Sequence, residues 1–203
     1  MTIDDILQIA PVVPVLTIED AAYAVPLARA LVAGGLRALE ITLRTPAAID
    51  AIERISGEVE DGVVGSGTVL NPADLDRATK AGALFAVSPG LMDGAREGGP
   101  VPLLPGIATA TELMRGLDLG FRCFKLFPAV PAGGVPVLKA FVPVFPQARF
   151  CPTGGITAAN APDFLVLPNV VCVGGSWVAP PEAVRDGDWG RITALARAAV
   201  ALR

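Results

Sequence analysis

Phe121-Arg-Cys-Phe-Lys-Leu-Phe-Pro128 reads as a buried β-strand with a single charge inside it, Lys125. An ammonium group is costly to take into an apolar strand, so Lys125 needs a reason to be there. The chain has only three lysines, and the other two, Lys80 and Lys139, fall in segments that read as surface helix. Side chains alternate along a strand. Cys123, Lys125 and Phe127 therefore share one face, with Phe124 and Leu126 on the other.

Working outward, the same kind of apolar segment recurs on both sides. Upstream lie Val12–Leu16, Ala38–Thr42, Val63–Val69, Phe85–Pro89 and Val101–Ile107; downstream lie Arg149–Gly155 and Val170–Trp177. Helical signals separate them. Residues 2–9 read as a short helix closing one end. A helix is expected over 17–33, with Gly34-Gly35 to end it and Pro26 to kink it or displace its boundary. Pro46 opens a helix to about Ser56, and Asn71-Pro72 opens one to Ala81. A short Gly-rich helical segment is expected after the fourth strand. Thr109-Ala-Thr-Glu112 has the capping-box pattern for a helix to about Leu119. Further helices are expected over 134–141, from a cap at Thr157, and over 189–202.

Strict alternation of strand and helix gives a parallel sheet, and eight units point to a closed (β/α)8 TIM barrel. The expected architecture is therefore α/β, one domain over residues 1–203, with a short N-terminal helix. The rival, an open doubly wound sheet, lacks its fingerprint, because Gly65-Ser-Gly67 has no third glycine in place.

Composition narrows the function. Hydrophobic residues make up 52% and charged residues 18%, which suits strands buried on both faces. No apolar run is long enough to span a membrane unbroken, and the acidic start Met1-Thr-Ile-Asp-Asp5 is unlike a signal peptide. A cytoplasmic protein is expected. The net charge of −4 and the lack of a Lys/Arg cluster argue against nucleic acid. There is no histidine, which removes Ser-His-Asp and Cys-His catalysis and most zinc sites. Cys123, Cys151 and Cys172 indicate no disulfide framework; they read as small hydrophobes on inward faces below the active rim.

Barrel active sites lie at the C-terminal ends of the strands. Of the 20 acidic residues only Glu40 falls within a predicted strand. Leu39 and Ile41 suit the helices outside, so Glu40 points inward and converges with Lys125 on the axis. A buried ion pair alone would be a poor stabiliser, which favours chemistry. Arg44, after the second strand, can bind a carboxylate bidentately, and Thr68, ending the third, can donate to the same group. Pro89 ends the fourth strand as wall. Thr153-Gly-Gly155 and Gly174-Gly175-Ser176 end the last two strands, where glycines let backbone N–H groups approach an anion.

These stretches resemble the class I 2-keto-3-deoxy-6-phosphogluconate (KDPG) aldolases. The matching runs are Pro11–Val15, Leu39-Glu-Ile-Thr-Leu-Arg-Thr45, Gly65–Pro72, Val87-Ser-Pro-Gly90, Leu104–Ile107, Phe124-Lys-Leu-Phe-Pro-Ala129, Cys151-Pro-Thr-Gly-Gly-Ile156 and Gly174-Gly-Ser-Trp177. The resemblance implies a (β/α)8 homotrimer without a metal or other cofactor, acting on a small phosphorylated keto acid in the Entner–Doudoroff pathway. Lys125 would form the Schiff base and Glu40 transfer the proton. Arg44 and Thr68 would hold the pyruvyl carboxylate, and Pro89 and Phe127 would border the substrate. Thr153, Gly154, Gly155, Gly175 and Ser176 would serve its phosphate-bearing end. One departure lies after the lysine, where Val130 replaces an acid that the family often carries.

The implied reaction cleaves 2-dehydro-3-deoxy-6-phosphogluconate to pyruvate and D-glyceraldehyde 3-phosphate, with cleavage of 4-hydroxy-2-oxoglutarate to pyruvate and glyoxylate as a second activity. The alternatives are a 2-dehydro-3-deoxy-6-phosphogalactonate aldolase, or a barrel isomerase or sugar-phosphate binding protein without a covalent lysine.

Overall fold

The computed structural model describes residues 1–95 and 98–203. All strand pairings are parallel. The strands are β1 (Val12–Leu16), β2 (Ala38–Thr42), β3 (Val63–Gly67), β4 (Ala86–Val87), β5 (Leu103–Leu104), β6 (Gly106–Ile107), β7 (Cys123–Leu126), β8 (Arg149–Pro152) and β9 (Val173–Gly175). They form a six-stranded sheet of order β5-β4-β3-β2-β1-β9 and a three-stranded sheet β6-β7-β8.

The expected fifth strand is divided in two at Pro105. Proline has no N–H for the ladder, so pairing changes partner there. Leu104 pairs with Val87 on one side, and Gly106 pairs with Lys125 on the other. At the other seam, single bridges join Phe150 to Val170 and Thr153 to Gly174. The chain is thus α/β with a curled parallel sheet in two pieces.

The curl separates two apolar clusters, as period-2 strands require. Leu39, Ile41, Val64, Phe124 and Phe150 pack outward under the helices. Ala38, Val63, Phe85, Cys123, Cys151 and Cys172 pack inward, joined by Ile3, Ile6 and Leu7 of α1 (Ile3–Leu7). This short helix, held by a reciprocal cap between Thr2 and Asp5, closes the end of the curl opposite the strands' C-termini.

The remaining helices are α2 (Ala24–Ala33), α3 (Ala48–Glu58), α4 (Pro72–Lys80), α5 (Ala110–Asp118), α6 (Gly134–Val144), α7 (Ala161–Leu165), α8 (Pro181–Arg185) and α9 (Trp189–Val200). Pro26 displaces a boundary: a single 3₁₀ turn, Ala21–Tyr23, precedes α2, and Pro26 lies in that helix's first turn. Thr157 does not cap a helix directly. It exchanges hydrogen bonds with Asn160, and α7 begins only at Ala161. The helix expected to end at Phe141 continues to Val144, with Pro143 inside it. α8 was not expected. Where a short Gly-rich helix was expected after β4, the described residues form turns, as at Asp93–Gly94; Arg96 and Glu97 of that segment lie outside the described residues. No helix among the described residues is long and apolar enough to cross a membrane.

Candidate active site

The two inward charges meet. Register places Glu40 beside Val15 and Gly65, and Lys125 beside Gly106 and Cys151, so neither has a charged neighbour on its own sheet. Across the interior, Lys125 Nζ donates to Glu40 Oε1 at 3.0 Å. Each residue is 3% exposed. Desolvating both charges offsets much of their attraction, so stability alone does not account for the pair. The Phe127 ring stands 5.2 Å from Nζ and covers one side of the amine.

Gly67 makes room for the carboxylate. A Cβ there would stand 2.6 Å from Glu40 Cγ and 2.8 Å from its carboxyl carbon. The next residue, Thr68, has φ +58, a left-handed conformation that costs a β-branched residue on the order of 1–3 kcal/mol. Hydrogen bonds from Leu43 N–H to the Gly67 carbonyl (2.8 Å) and from Val69 N–H to the Val87 carbonyl (3.1 Å) hold this turn. The turned backbone brings Thr68 Oγ1 to Arg44, whose Nε donates to it at 3.0 Å. That bond fixes one edge of the guanidinium. Among the described residues no carboxylate pairs with Arg44 within 4.0 Å, so its fork stays available to an anion.

A cavity of about 490 Å³ opens beside this pair. Of the residues expected at the site, Arg44, Phe127, Thr153, Gly154, Gly155, Gly175 and Ser176 line it. Lys125 and Glu40 are not themselves in its wall; Phe127, whose ring stands 5.2 Å from Lys125 Nζ, is. Thr68 and Pro89 also lie outside the lining. Thr68 acts on it through Arg44, and the Pro89 carbonyl packs against Gly106, the strand neighbour of Lys125.

Gly154 and Gly155 have φ of +101 and +77, which a side chain would make costly. Among the described residues no hydrogen bond takes up either N–H. The loop after β7 is laced to this turn: Ala129 N–H donates to the Thr153 carbonyl at 2.7 Å, and Val130 N–H to the Gly154 carbonyl at 3.0 Å. Val130 therefore leaves that loop anchored through backbone, with no side-chain charge required.

The polar residues of the lining that were not anticipated are Thr17, Glu19, Tyr23 and Arg185. Thr17 directly follows β1, so the strand-end rule could have found it. Tyr23 and Arg185 are brought in by the 3₁₀ turn and by α8, which sequence patterns did not resolve. The cysteines lie in the inner cluster, as expected. Cys123 Sγ donates to Asp4 Oδ1 at 3.5 Å. A hydrogen bond with Cys151, then burial, pushes the Cys172 thiol well above its ordinary range, which leaves it inert. Among the described residues no group of three His, Cys, Asp or Glu side chains is arranged to hold a metal ion.

Comparison with known proteins bears on this arrangement. The family model for KDPG and KHG aldolase matches residues 3–195. The sequence is 54% identical over 201 residues to the 2-dehydro-3-deoxy-phosphogluconate aldolase of Pseudoalteromonas atlantica, covering 97% of this chain and 93% of that protein. It is 54% identical over 200 residues to the KHG/KDPG aldolase of Escherichia coli K12, covering 97% and 94%. The KDPG aldolase of Legionella pneumophila, solved with pyruvate captured at low pH as a covalent carbinolamine, superposes with a TM-score of 0.94 at 47% identity, covering 97% of each chain.

Proposed function

This chain belongs to the KDPG and KHG aldolase family, and on that footing we propose that it is a class I aldolase. It cleaves 2-dehydro-3-deoxy-6-phosphogluconate to pyruvate and D-glyceraldehyde 3-phosphate, and 4-hydroxy-2-oxoglutarate to pyruvate and glyoxylate. The observation that carries this reading is the buried Lys125 Nζ–Glu40 Oε1 pair, 3.0 Å apart, beside a cavity that holds Arg44.

The geometry supports the following roles. Arg44, steadied by Thr68, grips the C1 carboxylate and sets the C2 ketone toward Lys125. The attacking amine must be neutral, and Glu40 is within reach to take its proton. Nζ adds to C2 to give a carbinolamine; Glu40 passes the proton it took to the departing hydroxyl, and loss of that water leaves an iminium and an ionised Glu40. Glu40 then removes the C4 hydroxyl proton, directly or through one water. The C3–C4 bond breaks, its electrons pass into the iminium, and an enamine and an aldehyde result. Glu40 returns the proton to C3, and hydrolysis frees pyruvate and the lysine. One carboxylate serves these steps in turn because each leaves it ready for the next. Pro89 and Phe127 border the reacting carbons. Thr153 and the N–H groups around Gly154, Gly155, Gly175 and Ser176 receive the phosphate.

The same reading takes residues 1–203 as one domain and joins the two sheets into one eight-stranded (β/α)8 barrel. The seam bridges Phe150–Val170 and Thr153–Gly174, and a fifth strand interrupted only by Pro105, support it. It also takes the enzyme as a cytoplasmic homotrimer that needs no metal. A coupled assay for pyruvate release tests the activity. The wild type turns over the phosphorylated substrate at an unchanged rate in EDTA, and Lys125→Met falls to background. Turnover by Lys125→Met, or loss of activity in EDTA, contradicts the reading.

A further inference from the structure

The cavity contains a cation that the mechanism above does not use. Arg185 ends α8, and Pro181, Val184 and Arg185 share the helix face turned to the cavity. The nearest acid on the same helix is already engaged: Glu182 Oε1 accepts from Arg191 of α9 at 3.0 Å. Among the described residues the Arg185 guanidinium has no hydrogen bond and no ion pair within 4.0 Å. Glu19 is the one carboxylate in the lining, and it does not pair with Arg185. A chain of net charge −4 thus presents two arginines and one acid to its cavity.

The two arginines line one cavity. Arg44 directly follows β2, and Arg185 is carried in as the last residue of α8, after β9. The Gly154-Gly155 turn and Ser176 share that lining. A six-carbon chain with a carboxylate at one end and a phosphate at the other offers such a cavity two anions. We propose that Arg185 is a specificity-determining residue that pairs with the phosphate of the substrate and so favours phosphorylated over non-phosphorylated keto acids. This rests on the aldolase reading above. Backbone N–H groups at Gly154 and Gly155 fix where the phosphate sits, and Arg185 supplies the formal charge that they lack.

The test compares wild type with Arg185→Gln on the phosphorylated substrate and on its non-phosphorylated six-carbon counterpart. The ratio of the two kcat/KM values falls about tenfold in the variant, chiefly through KM of the phosphorylated substrate. Arg185→Lys recovers part of the loss. A separate arm uses inorganic phosphate alone: it raises the wild-type Tm, and the rise shrinks in Arg185→Gln. A ratio within about twofold of wild type, an equal fall for both substrates, or a phosphate response identical in the two proteins overturns the assignment. Failure of the aldolase reading shows differently: borohydride then captures no pyruvate on Lys125 in either protein, while the phosphate arm still reports on Arg185.

Discussion

Glu40 occupies the space that a side chain at Gly67 would fill, so in the proposed mechanism the glycine serves proton transfer without touching substrate. Adding one methyl group there pushes the carboxylate away from Lys125. A misplacement of about 1 Å at a reacting group costs on the order of a hundredfold in rate. Gly67→Ala should therefore lower kcat by about that factor while KM changes little, since Arg44 and Thr68 are untouched. Steady-state kinetics decide it, and an unchanged kcat means Glu40 does not depend on Gly67. At this scale the sequence was most informative. Lys125 and Glu40 stood out because each is a lone charge in an apolar strand, and period-2 alternation settled which way both point. Arg185 did not stand out, since an arginine in a short polar segment looks solvated until the fold turns it toward a cavity.

Elements were legible where local chemistry decides them. The capping box at Thr109 and Glu112 formed as expected: Glu112 Oε2 accepts from the N–H groups of Ala108 (2.8 Å) and Thr109 (2.9 Å) and from Thr109 Oγ1 (2.9 Å). The bond from Ala108, then those from Thr109, hold the Glu112 carboxyl below the usual carboxylate range against the opposing effect of burial. A carboxyl whose pKa is lowered on folding stabilises the fold at pH above its unfolded value, about 4.3, and that stability is lost as pH falls through the folded value. Glu112→Ala should cost about 1 kcal/mol near pH 7, or about 2–4 °C in Tm. The gap between wild type and variant should close on acidification, in thermal melts from pH 7 to pH 3. A gap independent of pH contradicts the cap's charge. The misread elements were short ones, whose starts a local turn or a few residues decide. α7 starts late because Thr157 and Asn160 satisfy each other in a turn first. α8 is too short for periodicity to reveal, although Pro180-Pro181-Glu182 carries the proline and acid of a helix start.

Across the whole molecule, alternation of strand and helix was legible, and so was the end closed by α1. The seams were not: Pro105 is visible in the sequence, but whether a proline ends a strand or merely interrupts it depends on what lies alongside. Assembly is a property of this scale too. The chain exposes large apolar residues such as Leu84 (52%) and Val166 (78%), and a homotrimer would give light scattering of three times the 20.8 kDa chain mass. A mass of one chain contradicts that assembly and leaves the chemistry standing. The chemistry itself rests on one covalent bond. Incubation with pyruvate and sodium borohydride, followed by peptide mass mapping, should place a single reduced adduct on Lys125 and none on Lys80 or Lys139. No adduct, or an adduct on either of those two lysines, would contradict the account.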